Sequence, residues 1–100
     1  MLEGVKKIRA WQLADDLAVM IYQVVEKYPR YELYGLVSQM RRAAVSVPAN
    51  IAEGGARNFL KEYRQFCHQA QGSLVEVEYF VHLSDRLGYL SPEDKESLAR

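Results

Sequence analysis

A single cysteine, Cys67, rules out an internal disulfide and a cysteine-rich metal site, and it agrees with a reducing compartment. Three prolines and six glycines in 100 residues leave long stretches without punctuation, which favours helices. Neither sign of charge dominates: thirteen Lys plus Arg balance thirteen Asp plus Glu, so nothing argues for a uniformly basic nucleic-acid binder and distribution has to decide. Long apolar runs are absent too. The longest stretch without formal charge, residues 65–75, spans eleven residues, whereas a membrane helix needs about 18 or more. Charges also interrupt residues 1–12, where a signal peptide would carry its apolar region. A soluble, cytoplasmic protein with no membrane partner is expected. The composition, 49% apolar and 26% charged, belongs to an ordered globular chain. Its length serves one core, so residues 1–100 form a single helical-bundle domain.

Apolar residues set out three long helices. Trp11, Ala14, Ala18, Ile21, Val25 and Tyr28 recur at steps of three and four, which predicts a first helix over 10–28 that Pro29 stops. A short linker turns the chain back, and Leu33, Leu36, Met40, Ala44, Val47 and Ile51 predict a second helix ending near Gly54-Gly55. Pro48 lies inside that pattern, which predicts a kink or local break near Ala44–Val47, with Ser46 and Asn50 satisfying the carbonyls it leaves unpaired. Phe59, Tyr63, Phe66, Ala70, Val77, Phe80 and Leu87 follow a seven-residue rhythm, with Leu60, Cys67, Leu74 and Val81 on the adjoining column. They predict a third helix over 58–87, in which Gly72-Ser73 lets another helix approach closely and which Gly88 caps. Ser91-Pro92-Glu93-Asp94 starts a fourth helix, only begun before Arg100. The expected fold is an all-α, antiparallel up-down four-helix bundle.

The run from Tyr34 through Arg41-Arg42-Ala43-Ala44-Val45-Ser46-Val47-Pro48-Ala49-Asn50-Ile51-Ala52-Glu53-Gly54 is long and compositionally unusual. With Trp11-Gln12, Arg57, Ala70, Gly72-Ser73-Leu74, Glu76 and Leu87-Gly88-Tyr89-Leu90, it resembles the four-helix bundle family encoded by intervening sequences in 23S ribosomal RNA genes. The resemblance implies a left-handed bundle that assembles into a ring, commonly a homopentamer, with no established enzyme activity. Members complete the fourth helix. The family is also similar to the accessory variability protein of diversity-generating retroelements, a pentameric barrel that binds nucleic acid and a reverse transcriptase.

Charge distribution supplies the candidate site. Between Arg41 and Arg64 five basic residues face only Glu53 and Glu62, a local excess of three positive charges. Arg57, Lys61, Arg64 and His68 fall at offsets of 0, 4, 7 and 11, one helical stripe suited to RNA or DNA phosphates. The competing interpretation is a solvated face whose arginines pair with neighbouring acids. Arg41 and Arg42 join the basic patch or fasten subunits. No aromatic stacking platform accompanies the stripe, so binding is expected to be electrostatic and weakly sequence-selective. His68 and His82 stand 14 residues apart and cannot share a metal within one chain, and Cys67 on an apolar column reads as an inert thiol. Neither a phosphate loop nor a nucleophile elbow nor a metal motif is present, so no catalysis, cofactor or metal is expected. The alternative function is an oligomeric protein scaffold with Tyr31, Tyr34 and Tyr89 at subunit or partner contacts.

Overall fold

The computed structural model describes residues 2–99, and every regular element among them is helical. A short α1 (Leu2–Val5) precedes α2 (Arg9–Val25); a 3₁₀ turn (Arg30–Glu32) and a π-helical turn (Leu33–Val37) lead into α3 (Ser38–Gly55), followed by α4 (Leu60–Arg86) and α5 (Pro92–Ala99). α1 has no counterpart in the predicted elements, and the first turn of the predicted second helix, Leu33–Val37, is π-helical. No helix of the described residues is long and apolar enough to cross a membrane.

The apolar stripe of α2 is buried as its spacing requires, through Ala14, Ala18, Ile21 and Val25. The helix ends at Val25, three residues before the predicted end, because Pro29 bars helical dihedrals just upstream. Tyr28, just beyond, still buries its ring against Tyr89, with centroids 5.2 Å apart. The hydroxyl of Tyr28 is buried without a hydrogen-bond partner. Burial therefore raises the Tyr28 pKa.

The break expected at Ala44–Val47 is absent. Residues 38–55 form one continuous helix with Pro48 buried inside it. The departure from helical geometry lies upstream at Gly35, with φ −114° and ψ −108°. A Cβ at Gly35 would stand 3.2 Å from the Glu32 carboxylate, a tight contact that this flexible side chain relieves by a small shift; the carboxylate accepts from the Leu36 amide at 3.4 Å. Around Pro48 the helix is held by side chains. Asn50 Nδ2 donates to the Ser46 carbonyl at 2.8 Å and to Ser46 Oγ at 2.9 Å, and Ser73 Oγ of α4 donates to Ser46 Oγ at 2.8 Å. The carbonyl that Asn50 engages is that of Ser46 and not the Ala44 carbonyl that Pro48 deprives of its usual donor.

α3 is the central helix, packed on α2 along one side and on α4 along the other. Met40, Ala43 and Ala44 meet Ile21 and Val25 of α2 and Val77 of α4 in the main core, while Ala14, Val47, Ile51 and Ala70 form a second cluster under Trp11. Small residues bring α3 and α4 close together. At Gly54 an added Cβ would lie 3.0 Å from Phe66 Cβ and 3.3 Å from the Tyr63 carbonyl oxygen. Contacts from Gly54 with Phe66 through Ser46 with Ser73 to Met40 with Ser84 show the two helices running antiparallel. Of the central pair in α4, Ser73 serves this contact, whereas Gly72 faces open space and has nothing within 4 Å of an added Cβ.

Gly88 takes φ +77° to end α4, and Ser91 Oγ accepts from the Asp94 amide at 3.1 Å to start α5, as the punctuation predicts. α5 bridges the ends of α2 and α4 through Lys27–Asp94 at 3.0 Å and Lys95–Asp85 at 3.1 Å, with Leu98 against the core. It covers only that end. At the other end two residues read as core columns are therefore exposed, Phe59 by 68% and Leu60 by 62%, while Leu87 is 49% exposed even at the end that α5 covers.

Candidate nucleic-acid interface

α4 begins at Leu60, which removes Arg57 from the helical stripe. Arg57 sits in the connecting segment, where its guanidinium meets Glu53 at 3.1 Å and Glu62 at 3.9 Å and covers the Phe66 ring at 4.9 Å. Its charge is already paired within the chain, the arrangement that the solvated-face interpretation describes. The physical reason is the spacing of Glu53 four residues before it, the separation at which helical ion pairs form.

Lys61, Arg64 and His68 are different. They occupy successive turns of one exposed face of α4 and, with Leu60 and Gln65, line a shallow depression of about 580 Å³. Among the described residues neither Lys61 nor Arg64 has an acidic oxygen within 4 Å, because Arg57 engages both Glu53 and Glu62. Two cations without acidic partners and an imidazole thus share one exposed face, open to the phosphates of a polyanion and screened by salt.

Arg41 and Arg42 do not extend this face. Arg42 bonds Glu76 at 2.9 Å and Gln39 at 3.2 Å, fastening α3 to α4 within one chain. Glu76 lies fifteen residues beyond Lys61 on α4, about 22 Å along the axis at the helical rise. The Arg41 guanidinium packs over the Tyr22 ring at 5.3 Å, and its Nε is buried without a partner. Pro48 and Asn50 lie in the α3–α4 contact and form no part of the basic face.

Two further surfaces stand out. An apolar groove of about 380 Å³ runs between α2 and α4 over α3, lined among others by Leu13, Leu17, Ile51, Tyr63, Cys67 and Leu74. Cys67 is half-buried there, and its thiol beside Tyr63 raises the phenol's pKa. At the opposite end Tyr89 donates to Glu32 at 2.8 Å and lies 3.2 Å from the Tyr31 hydroxyl. Hydrogen bonding to Tyr31 and then to Glu32 pushes the Tyr89 pKa above the ordinary tyrosine range. Tyr34 is 94% exposed. Among the described residues no three His, Cys, Asp or Glu side chains converge.

Sequence periodicity missed the exposure of Phe59 and Leu60, since both sit on apolar columns. The signal that finds them is their position at the start of the helix, beyond the reach of a facing helix.

A family model described as 23S rRNA-intervening sequence protein matches residues 6–100. No curated protein matches the chain.

Proposed function

Because this chain belongs to the 23S rRNA-intervening sequence protein family, we propose that it is a non-enzymatic, self-associating helical protein that contacts nucleic acid through Lys61, Arg64 and His68. The observation that carries this conclusion is the placement of Lys61 and Arg64 on one exposed face without acidic partners. Each side chain extends from a regular helix, so a phosphate backbone can lie across both without reorganising the protein. In an assembly the face repeats once per subunit, which raises the number of phosphates engaged at once. The proposed assembly is a homo-oligomeric ring, five subunits being the number drawn from the family resemblance. Its support is apolar surface left uncovered: Leu13 and Val19 are each 52% exposed on α2, and Val75 is 64% exposed on α4. An up-down four-helix arrangement is supported by α5, which is tied to Lys27 at the end of α2 and to Asp85 near the end of α4.

The experiment is a comparison of wild type with the Lys61→Gln, Arg64→Gln double variant on labelled RNA at low salt, alongside light scattering on both. Loss of binding at unchanged oligomer mass supports the proposal. Equal affinity of the two proteins refutes it. The apolar groove favours a second reading, a protein scaffold without a nucleic-acid role, which gains if wild type assembles but binds no nucleic acid.

A further inference from the structure

α2 and α4 each carry a stripe that the rest of the fold leaves open. On α2 it is Asp15, Val19, Tyr22 and Glu26, and on α4 it is Val75, Tyr79, His82 and Arg86. Both sets advance by four, three and four residues, so each keeps to one face of its helix. The apolar and aromatic members stand in water: Val19 is 52% exposed, Tyr22 43%, Val75 64% and Tyr79 56%. Arg41 covers the Tyr22 ring at 5.3 Å, and Tyr79 lies beside His82 with ring centroids 6.3 Å apart. Among the described residues Asp15, Glu26 and Arg86 have no oppositely charged group within 4 Å. The α2 stripe is therefore acidic at both ends and the α4 stripe basic at its last turn, each around exposed apolar surface.

The two stripes look in different directions. Leu17 lines the groove between α2 and α4, and Val19, two residues on, stands about 200° around the helix from it, so the α2 stripe faces away from α4. Val77, two residues from both Val75 and Tyr79, is buried in the core, so the α4 stripe faces away from the core. One neighbour cannot cover both. A second and a third copy of this chain can, each meeting one stripe, and such head-to-tail contacts close into a ring when the rotation permits. Height along the helices fits closure. Ala14 of α2 shares a buried cluster with Ala70 of α4, and Tyr28 packs on Tyr89 just beyond α4, so residues at one level differ in number by 56 to 61. Rotation about an axis parallel to the helices keeps these levels from copy to copy. The stripes align at a difference of 60, Val19 with Tyr79, Tyr22 with His82 and Glu26 with Arg86, at most four residues from the level set within one chain, or about 6 Å. Resting on the self-association proposed above, we infer that the α2 stripe of one copy packs in parallel on the α4 stripe of the next, with Glu26 paired to Arg86 across the seam. The seam begins at Val75, seven residues past His68, and leaves Lys61, Arg64 and His68 outside it.

The test is light scattering coupled to size exclusion over a protein concentration series, with helicity checked for each protein. The proteins are wild type, Val19→Glu, Tyr79→Glu, Glu26→Arg, and two charge exchanges, Glu26→Arg with Arg86→Glu and Asp15→Arg with Arg86→Glu. Wild type should run as an oligomer, while Val19→Glu and Tyr79→Glu keep their helicity and fall to the 11.5 kDa of one chain. Glu26→Arg should raise the concentration of half-assembly about fivefold, the upper end for one exposed ion pair. Adding Arg86→Glu should restore it, and since Glu26 and Arg86 form no ion pair within one chain, that rescue acts between copies. If wild type assembles but Val19→Glu or Tyr79→Glu keeps the wild-type mass, the inference is overturned while self-association stands. Failure of the Glu26→Arg, Arg86→Glu exchange to restore assembly overturns the parallel pairing, as does rescue by Asp15→Arg with Arg86→Glu, the exchange an antiparallel seam would favour. Wild type at 11.5 kDa throughout the series removes self-association, and the inference with it.

Discussion

Two glycine-to-alanine substitutions, at Gly54 and at Gly72, should change stability in opposite directions although both residues lie within helices. Alanine in place of glycine in a helix interior is worth about 1 kcal/mol, and that contribution is common to both positions. At Gly72 nothing lies within 4 Å of the new methyl group, so the gain is realised in full. At Gly54 the methyl meets Phe66 Cβ at 3.0 Å and the Tyr63 carbonyl oxygen at 3.3 Å. Neither atom can swing aside, because one is a backbone oxygen and the other is bonded directly to the backbone. α4 must instead move away from α3, loosening the contacts that follow along both helices, and overpacking of this kind costs about 1–3 kcal/mol. Gly72→Ala should therefore raise the thermal midpoint by about 4–8 °C, the response of a chain this size to 1 kcal/mol. Gly54→Ala should melt no higher than wild type and at least about 4 °C below Gly72→Ala. Circular dichroism at 222 nm with thermal and urea melts, run at several protein concentrations, reads both. Equal midpoints for the two variants would refute the close approach of α3 and α4 at Gly54.

Met40 is fully buried, and Met40→Ala should cost about 2–5 kcal/mol, read as a lower urea midpoint; a loss under 1 kcal/mol would contradict its place at the centre of the core. Asn50→Ala removes two hydrogen bonds to Ser46, and urea melts should show a loss of about 1 kcal/mol with the helix content retained. Tyr28 and Tyr89 both have pKa values raised in the folded chain, by burial and by the Tyr31 and Glu32 hydrogen bonds respectively. The unfolded chain ionises first, so their stabilisation is complete below the ordinary tyrosine value of 10.0 and declines as pH rises past it. Ultraviolet titration should show three tyrosines, Tyr28, Tyr63 and Tyr89, ionising late, one of them lost in Tyr89→Phe, and an unchanged titration in that variant would contradict the hydrogen-bonded assignment.

The long helices were legible because their apolar spacing is regular and because proline, glycine and serine mark their ends, with Gly88 and Ser91 acting as their types predict. The Pro48 break was not, since a proline's effect depends on what surrounds it, and here Ser46, Asn50 and Ser73 tie α3 to itself and to α4. The non-helical dihedrals lie at Gly35 instead, a residue whose backbone freedom leaves no trace in apolar periodicity. Charge spacing found Lys61, Arg64 and His68 together on one face, but it counted Arg57 among them without weighing Glu53 and Glu62. Periodicity also assigned Phe59 and Leu60 to the core, although a helix packs only where another element faces it.

The account depends most on Lys61 and Arg64 meeting phosphate, and the measurement closest to that claim is the salt dependence of binding. Affinity for a labelled single strand should be measured from 25 to 200 mM potassium chloride, for wild type and for Lys61→Gln, Arg64→Gln. Each phosphate neutralised on a single strand contributes about −0.7 to the slope of log affinity against log salt. Wild type should give a slope of about −1.4 or steeper, steeper still if several subunits engage one strand, and the double variant should lose at least about 1.4 from it. The same slope in both proteins, or no wild-type binding at 25 mM salt, would contradict the account.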